Sequence, residues 1–381
     1  MADKFSNVAE MLAKLRPVDP VYCVYPHVYR ETVEQFLSGF PGRVLYAIKA
    51  NNDPKVLSAL FAAGIQHVDC ASLQEIMDVR EVSERAVCYF MNPVRLRGAA
   101  RSAQQDFGVK HFVVDHAAGL ELLLGEIDPA GTVIFVRLAV HHDSAMVDLS
   151  RKFGATAEET RALLQAVADC GAEPALAFNV GSNVMSPDAY VHAIETAIDL
   201  LEHMPFKLRL IDIGGGYAKS YPGFDAPRID DYFAAIIKAA KFSLAERGEL
   251  MAEPGRALAA PGLSAVVEVL LRKEDRLYIN DGLYGAFWDL GYGAHDRFAA
   301  RAYHDAKPLN GDEQPFHLLG PTCDSGDHLP GLVNLPSDIR VGDYIEFGSI
   351  GAYSLSGRTD FNGFHSQSVV NIESTDALPP D

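Results

Sequence analysis

Short apolar runs recur along the first two-thirds of the chain, each followed by a segment with helical spacing. The runs are Val44–Ile48, His67–Cys70, Ala86–Phe90, His111–Asp115, Thr132–Arg137, Ala175–Val180, Leu208–Ile213 and Leu250–Glu253. Between them lie amphipathic stretches such as 56–61, 72–79, 156–170 and 187–201. Strands alternating with helices in this way predict a (β/α)8 barrel, with a doubly wound sheet as the competing arrangement. The polar residues favour the barrel. Lys49, Asp69, Asn92, Asp115, Arg137, Asn179, Asp212 and Glu253 all fall at the C-terminal ends of the runs. Barrel closure gathers those ends around one mouth, where such barrels carry their chemistry. Taken singly, each also reads as a loop-capping residue.

From about Gly262 the rhythm changes to strands joined by turns: Val266–Leu271, Leu277–Ile279, Val341–Phe347 and Ser368–Ile372. Residues 27–261 are therefore expected to form the barrel, and residues 1–26 with 262–381 an all-β domain. Its N-terminal contribution is the strand-like Val21–Tyr25, which follows an amphipathic stretch, Val8–Leu15.

Composition narrows the function. The 381 residues are 48% hydrophobic and 22% charged, ordinary for a globular protein. The formal net charge of −18 disfavours nucleic acid and anionic membranes as partners. No apolar run reaches membrane-spanning length, and the first residues lack a basic segment leading into an apolar one. Cysteines 23, 70, 88, 170 and 323 are odd in number and scattered, which reads as reduced thiols in a cytoplasmic protein. No HxxxH or CxxC pair supports a metal site.

An ammonium at the exit of a buried strand, as at Lys49, suits a nucleophile that holds an aldehyde, provided its pKa is lowered by burial or a cationic neighbour. A strand-end lysine reaching solvent is the plain alternative. Gly214-Gly215-Gly216 follows the seventh run and Pro254-Gly255-Arg256 the eighth. In barrels of this kind the loops after strands seven and eight often hold a phosphate through backbone N–H groups. A tight strand–helix turn would use the same glycines. Glu253 is placed to face a heterocyclic nitrogen and keep it protonated. Together these features describe a pyridoxal 5′-phosphate site.

The motifs Tyr46-Ala-Ile-Lys49-Ala-Asn, Val68-Asp69-Cys-Ala-Ser72, Arg137 with Lys152-Phe-Gly-Ala155, Phe178-Asn-Val-Gly181-Ser182, Asp212-Ile-Gly-Gly-Gly216 and Glu253-Pro-Gly-Arg256 cover the barrel. Asn280-Asp-Gly-Leu-Tyr284-Gly285, Gly320-Pro-Thr-Cys323-Asp324, Gly351-Ala-Tyr353 and Phe361-Asn-Gly-Phe364 continue the pattern in the second domain. With these motifs the chain resembles the fold-type III pyridoxal-phosphate decarboxylases, the group of ornithine decarboxylase and its diamino-acid relatives, over nearly its whole length. The resemblance implies that Lys49 forms the Schiff base and that Glu253 partners the pyridine nitrogen. It places Asp69, Arg137, Asn179, Ser182, Gly214, Gly215, Gly216, Gly255, Arg256 and Tyr353 around the cofactor. Cys323 is implied as proton donor to Cα after CO2 leaves, and Asp324 as partner of the substrate's distal amine. It further implies a homodimer in which the Cys323-Asp324 loop enters the partner's site.

Two positions depart from the family pattern. Asn179 stands where the family has a histidine stacked on the cofactor ring, and an amide offers less π-surface. Gly293, in Leu290-Gly-Tyr292-Gly293, stands where ornithine decarboxylases carry Tyr-Asp. Losing one of two carboxylates facing an ammonium weakens selection of a short diamine. Asp289, one helical turn upstream, is a compensating carboxylate or a solvent-facing one. The expected reaction is decarboxylation of a basic or polar α-amino acid, bound through Asp324, Tyr292 and Gly293. Racemisation, elimination or oxidative chemistry on the same cofactor, and an inactive regulatory homologue, are the alternatives.

Overall fold

The computed structural model describes residues 4–140, 145–147, 152–202, 204–240, 248–293 and 298–374. Strands Arg43–Ala47, His67–Cys70, Val87–Phe90, His111–Val114, Val133–Leu138, Glu173–Phe178, Leu210–Asp212 and Glu249–Ala252 close into a parallel barrel in chain order. The competing doubly wound sheet is thereby excluded. Parallel registers such as Ala47↔Asp69 and Asp212↔Met251 align the strand ends.

Side-chain alternation explains why the polar groups meet. Leu45, Tyr89, Val113, Val133, Phe135, Ala175, Ala177, Leu210 and Met251 fill the barrel interior. Val44, Tyr46, Val68, Val114, Ile134, Val136 and Leu176 face the surrounding helices. Steps of two along the interior face lead from Ala177 to Asn179, from Leu210 to Asp212 and from Met251 to Glu253. The helices carry ordinary start signals. Thr156 and Glu159 make a reciprocal capping box before Ala157–Asp169. Asp53 caps Pro54–Ala62 with proline in the first turn.

The second unit is mostly sheet. Val21–Val24 pairs antiparallel with Leu263–Val266 and parallel with Val369–Asn371, so the N-terminal strand joins the C-terminal sheet as expected. Leu263–Lys273 runs through its centre, flanked also by Tyr344–Phe347 and Arg276–Ile279. The expectation of an all-β unit is corrected in one respect. Helix Val8–Leu15 belongs to it, burying Val8, Met11 and Leu12 against Val21, Cys23, Val370 and Ile372. Two-residue strand Lys4–Phe5 adds beside Asn371–Ile372, too short to show in the sequence pattern.

Candidate active site

The first barrel strand stops at Ala47, and a single 3-10 turn, Ile48–Ala50, carries Lys49. That turn is held from outside the barrel. Tyr353 N–H donates to Ala50 O at 2.7 Å, the Asn51 amide donates to Gly351 O at 2.8 Å, and Ser356 Oγ donates to Lys49 O at 2.9 Å. The C-terminal unit thus sets the direction of the lysine.

Lys49 Nζ lies 2.8 Å from Asp69 Oδ2, and Asp69 is almost fully buried. Burial opposes the charge on Lys49, but the carboxyls of Asp69 and Glu253 outweigh it and hold the ammonium above the ordinary lysine range. The lowered pKa anticipated for a nucleophilic lysine is therefore not the resting condition of the chain. Asp212 Oδ1 accepts from Gly214 N–H at 2.8 Å. Burial pushes the Asp212 carboxyl up to about 6, and burial with Asp212 and Asp69 as neighbours raises Glu253 well above the carboxylate range. Asp212 Oδ2 and Glu253 Oε1 are both buried without a hydrogen-bond partner. Three carboxyls share one ammonium here, which leaves the cluster short of cationic or N–H partners.

One cavity is lined by Lys49, Asn179, Ser182, Gly215, Gly216, Glu253, Gly255, Arg256 and Tyr353 together with Gly181 and Tyr217. The glycines of this loop have no substitute. A Cβ on Gly215 would lie 2.5 Å from Glu253 O, and Gly216 has φ +103° with Gly181 O 2.6 Å from a built Cβ. Tyr190 supports this loop by donating to Gly215 O at 2.7 Å. Gly214, φ +73°, turns the chain out of the seventh strand.

Arg256 is buried, and its guanidinium forms a bidentate pair with Asp289 at 2.5 and 2.9 Å. Nη1 also donates to Tyr221 Oη at 3.2 Å, and the guanidinium lies 5.0 Å from the Tyr353 ring centre. Nε is buried and unpartnered. Asp289 is thus neither solvent-facing nor a free carboxylate for a substrate amine, because burial beside Arg256 commits it to that cation. Tyr221 had no sequence signal.

Other expected site residues fall at the mouth with different duties. Asn179 Oδ1 accepts from Gly181 N–H at 2.9 Å, an Asx turn that shapes the loop leading to Ser182. Arg137 is half-buried with its guanidinium over the Phe153 ring, and it does not line the cavity. Asp115 accepts from Gly154 N–H at 3.0 Å, and Asn92 donates to Val94 O at 2.9 Å, so both tie loops.

Cys323 and Asp324 are exposed and do not line the Lys49 cavity of their own chain. They belong to a surface cluster instead. Tyr284 Oη donates to Asp324, Asn362 Oδ1 accepts from Cys323 N–H at 3.1 Å, and the Tyr284 and Phe361 rings are 4.7 Å apart. Beneath them buried Asp327 accepts from Leu283 N–H and from Thr322 N–H and Oγ1. Three second-domain motifs therefore converge on one patch. Gly293 ends the 3-10 segment Trp288–Tyr292 at φ +68°, with Tyr292 62% exposed and its ring tilted at 47° to that of Trp288. Among the described residues there is no candidate metal cluster and no helix long and apolar enough to cross a membrane.

Residues 28–260 match the profile of the pyridoxal-dependent decarboxylase, pyridoxal-binding domain. The chain belongs to the pyridoxal-dependent decarboxylases. It is 32% identical to a lysine/ornithine decarboxylase of Selenomonas ruminantium, across 87% of this chain and 83% of that one. It is 31% identical to a decarboxylase of Aspergillus flavus, across 93% and 86% of the two. The arginine decarboxylase of Paramecium bursaria Chlorella virus has a similar structure, with TM-score 0.84 and 26% identity over 95% of this chain and 98% of that one. As a member of this group the chain is a pyridoxal-phosphate-dependent amino-acid carboxy-lyase.

The residues present fit that cofactor. The orphaned carboxyl oxygens of Asp212 and Glu253 suit a protonated ring nitrogen, Gly215 and Gly216 line the same cavity with backbone alone, and Arg256 Nε has a donor to give. Lys49 completes the set at the cavity wall.

Proposed function

We propose that this decarboxylase acts on an α-amino acid with a polar or cationic side chain longer or more substituted than ornithine, as a homodimer with shared sites. The observation that carries the reading is the pairing of Lys49 with Asp69 inside a carboxyl cluster that opens onto the glycine loop. Lys49 Nζ would hold the cofactor, and Glu253 would keep a proton on its ring nitrogen. Ser182, Gly214, Gly215, Gly216, Gly255, Tyr353 and Arg256 Nε would hold its phosphate, and Asn179 would contribute to the same cavity wall. Asp69 orients Lys49, and Arg137 braces the mouth through Phe153. When bound, the cofactor supplies the electron sink for the bond between Cα and the carboxylate.

Exposure of Cys323 and Asp324 supports their working across an interface, since a proton donor and an amine partner left on the surface serve nothing in their own chain. In that reading Cys323 Sγ gives a proton to Cα and Asp324 meets the distal cation. Gly293 supplies neither a second carboxylate nor bulk, and a Cβ there would meet nothing within 4 Å. Extra room and one carboxylate fewer favour a longer side chain over a compact diamine. Two of the relatives named above are a lysine/ornithine decarboxylase and an arginine decarboxylase, which supports a cationic side chain. A division at residues 27–261, and a reducing cytoplasmic setting for the five free thiols, are part of the same proposal.

The test is a panel of basic and substituted amino acids incubated with purified protein, with CO2 release and products followed by mass spectrometry. A single amine one CO2 lighter than its substrate is expected, best for a side chain longer than that of ornithine. Racemised or oxidised products, or best turnover of ornithine, would refute the reading.

A further inference from the structure

Two neighbouring barrel strands end in the same device. Glu173–Phe178 and Leu210–Asp212 run side by side, with Asp212 opposite Ala177. Beyond the first strand, Asn179 Oδ1 accepts from Gly181 N–H at 2.9 Å, and at the end of the second, Asp212 Oδ1 accepts from Gly214 N–H at 2.8 Å. Each turn closes on a glycine in the left-handed region, φ +114° at Gly181 and +73° at Gly214. The two loops then fasten to each other. Val184 N–H donates to Gly216 O at 2.9 Å, and Gly181 O leaves no room for a Cβ on Gly216. The Asn179 side chain stands between them, its Nδ2 3.1 Å from where a Cβ on Gly214 would lie. Gly181, Ser182, Gly215 and Gly216 line one cavity with Asn179. A carboxamide held in this way is committed to backbone.

We propose that Asn179 is a positioning residue for the phosphate end of the cofactor: its turn sets the Gly181-Ser182 backbone against Gly214–Gly216, and through that backbone the chain distinguishes pyridoxal phosphate from unphosphorylated pyridoxal. The inference rests on the seating of the phosphate at the glycine loop proposed above. Electrostatics explain why an amide stands here. The turn requires a short side chain with an acceptor oxygen, which aspartate would supply as well. Three carboxyls, those of Asp69, Asp212 and Glu253, already share the Lys49 ammonium. A fourth beside a phosphate would repel it. Asparagine gives the acceptor without the charge.

Absorbance titration of the full-length chain, stripped of cofactor and reloaded with pyridoxal phosphate or with pyridoxal, separates a loop role from a ring role. Wild type should bind the phosphate ester at least about a hundredfold tighter than pyridoxal. Asn179→Leu, close in size but without the acceptor, should weaken the phosphate ester about tenfold and leave pyridoxal within about twofold. Asn179→Ser, whose hydroxyl can make the same turn, should recover most of the loss. Asn179→Ala, which adds no bulk, carries the same two measurements if melting curves show that Asn179→Leu does not fold. Undiminished affinity of the Leu or Ala variant for the phosphate ester, or equal losses for both ligands, would overturn the role given to Asn179. A wild type that binds both ligands alike would overturn it together with the phosphate seating on which it stands.

Discussion

Arg256 and Asp289 form a buried bidentate pair at 2.5 and 2.9 Å, the Asp289 carboxylate gripping both Nη atoms and leaving Nε buried without a partner. A guanidinium otherwise free to rotate thereby presents one defined donor. Removing one member leaves an uncompensated buried charge, so Asp289→Ala should destabilise the cofactor-free protein by about 3–5 kcal/mol in urea unfolding. Arg256→Met with Asp289→Leu should recover most of that loss while retaining the cofactor poorly. Equal stability of Asp289→Ala and wild type would show that the pair is incidental.

Lys49→Ala should lack the visible absorbance of bound cofactor. It should also lose the covalent label that borohydride fixes in the wild type, as read by peptide mass spectrometry. Label on another lysine would move the assignment.

Mixing inactive Lys49→Ala and Cys323→Ala chains should restore activity if the exposed Cys323 patch completes a neighbour's site. Random exchange leaves about a quarter of sites with both wild-type residues, which sets the ceiling for recovery. The check is turnover after subunit exchange, with native mass spectrometry confirming the hybrid. Exchange without recovery would argue against shared sites.

Asp324→Asn should cost cationic substrates about 2–5 kcal/mol in kcat/KM if the carboxylate meets them in a desolvated site. Neutral substrates should lose much less. Gly293→Asp should shift preference toward ornithine, and aspartate is among the few residues that tolerate φ near +68°. Competition between ornithine and lysine, scored by product ratio, reads both effects.

At the other end of the barrel, burial first, and then the Arg43 charge, depress His67 to about 4 and His111 to about 3. Both are neutral when folded, whereas the unfolded chain takes up protons near the ordinary histidine value. Their share of stability is therefore full above about pH 6.5 and is lost as pH falls toward 4. Melting temperatures should drop over that window, and His67→Leu with His111→Phe should drop less.

The strands were legible because apolar runs bounded by turn residues leave few alternatives, and period-two alternation then fixes which ends face the mouth. The position of Lys49 at the mouth was legible for that reason, although its strand ends one residue earlier than the apolar run does. The Ala50 and Asn51 contacts with the C-terminal unit favour a turn there, and nothing local announces them. Asp289 was visible as a nearby carboxylate, but its commitment to Arg256 arises from packing between segments 33 residues apart. Asn92 and Asp115 were counted with the mouth correctly, yet only the fold separates loop ties from cofactor neighbours.

The bond from Asn51 to Gly351 spans 300 positions of sequence. A ribosome building this protein releases the whole barrel, lysine included, well before the residues that fix the lysine's turn. Nascent chains halted near position 300 should therefore fold a barrel that captures pyridoxal phosphate weakly. Cofactor loading becomes one of the last events in the protein's manufacture.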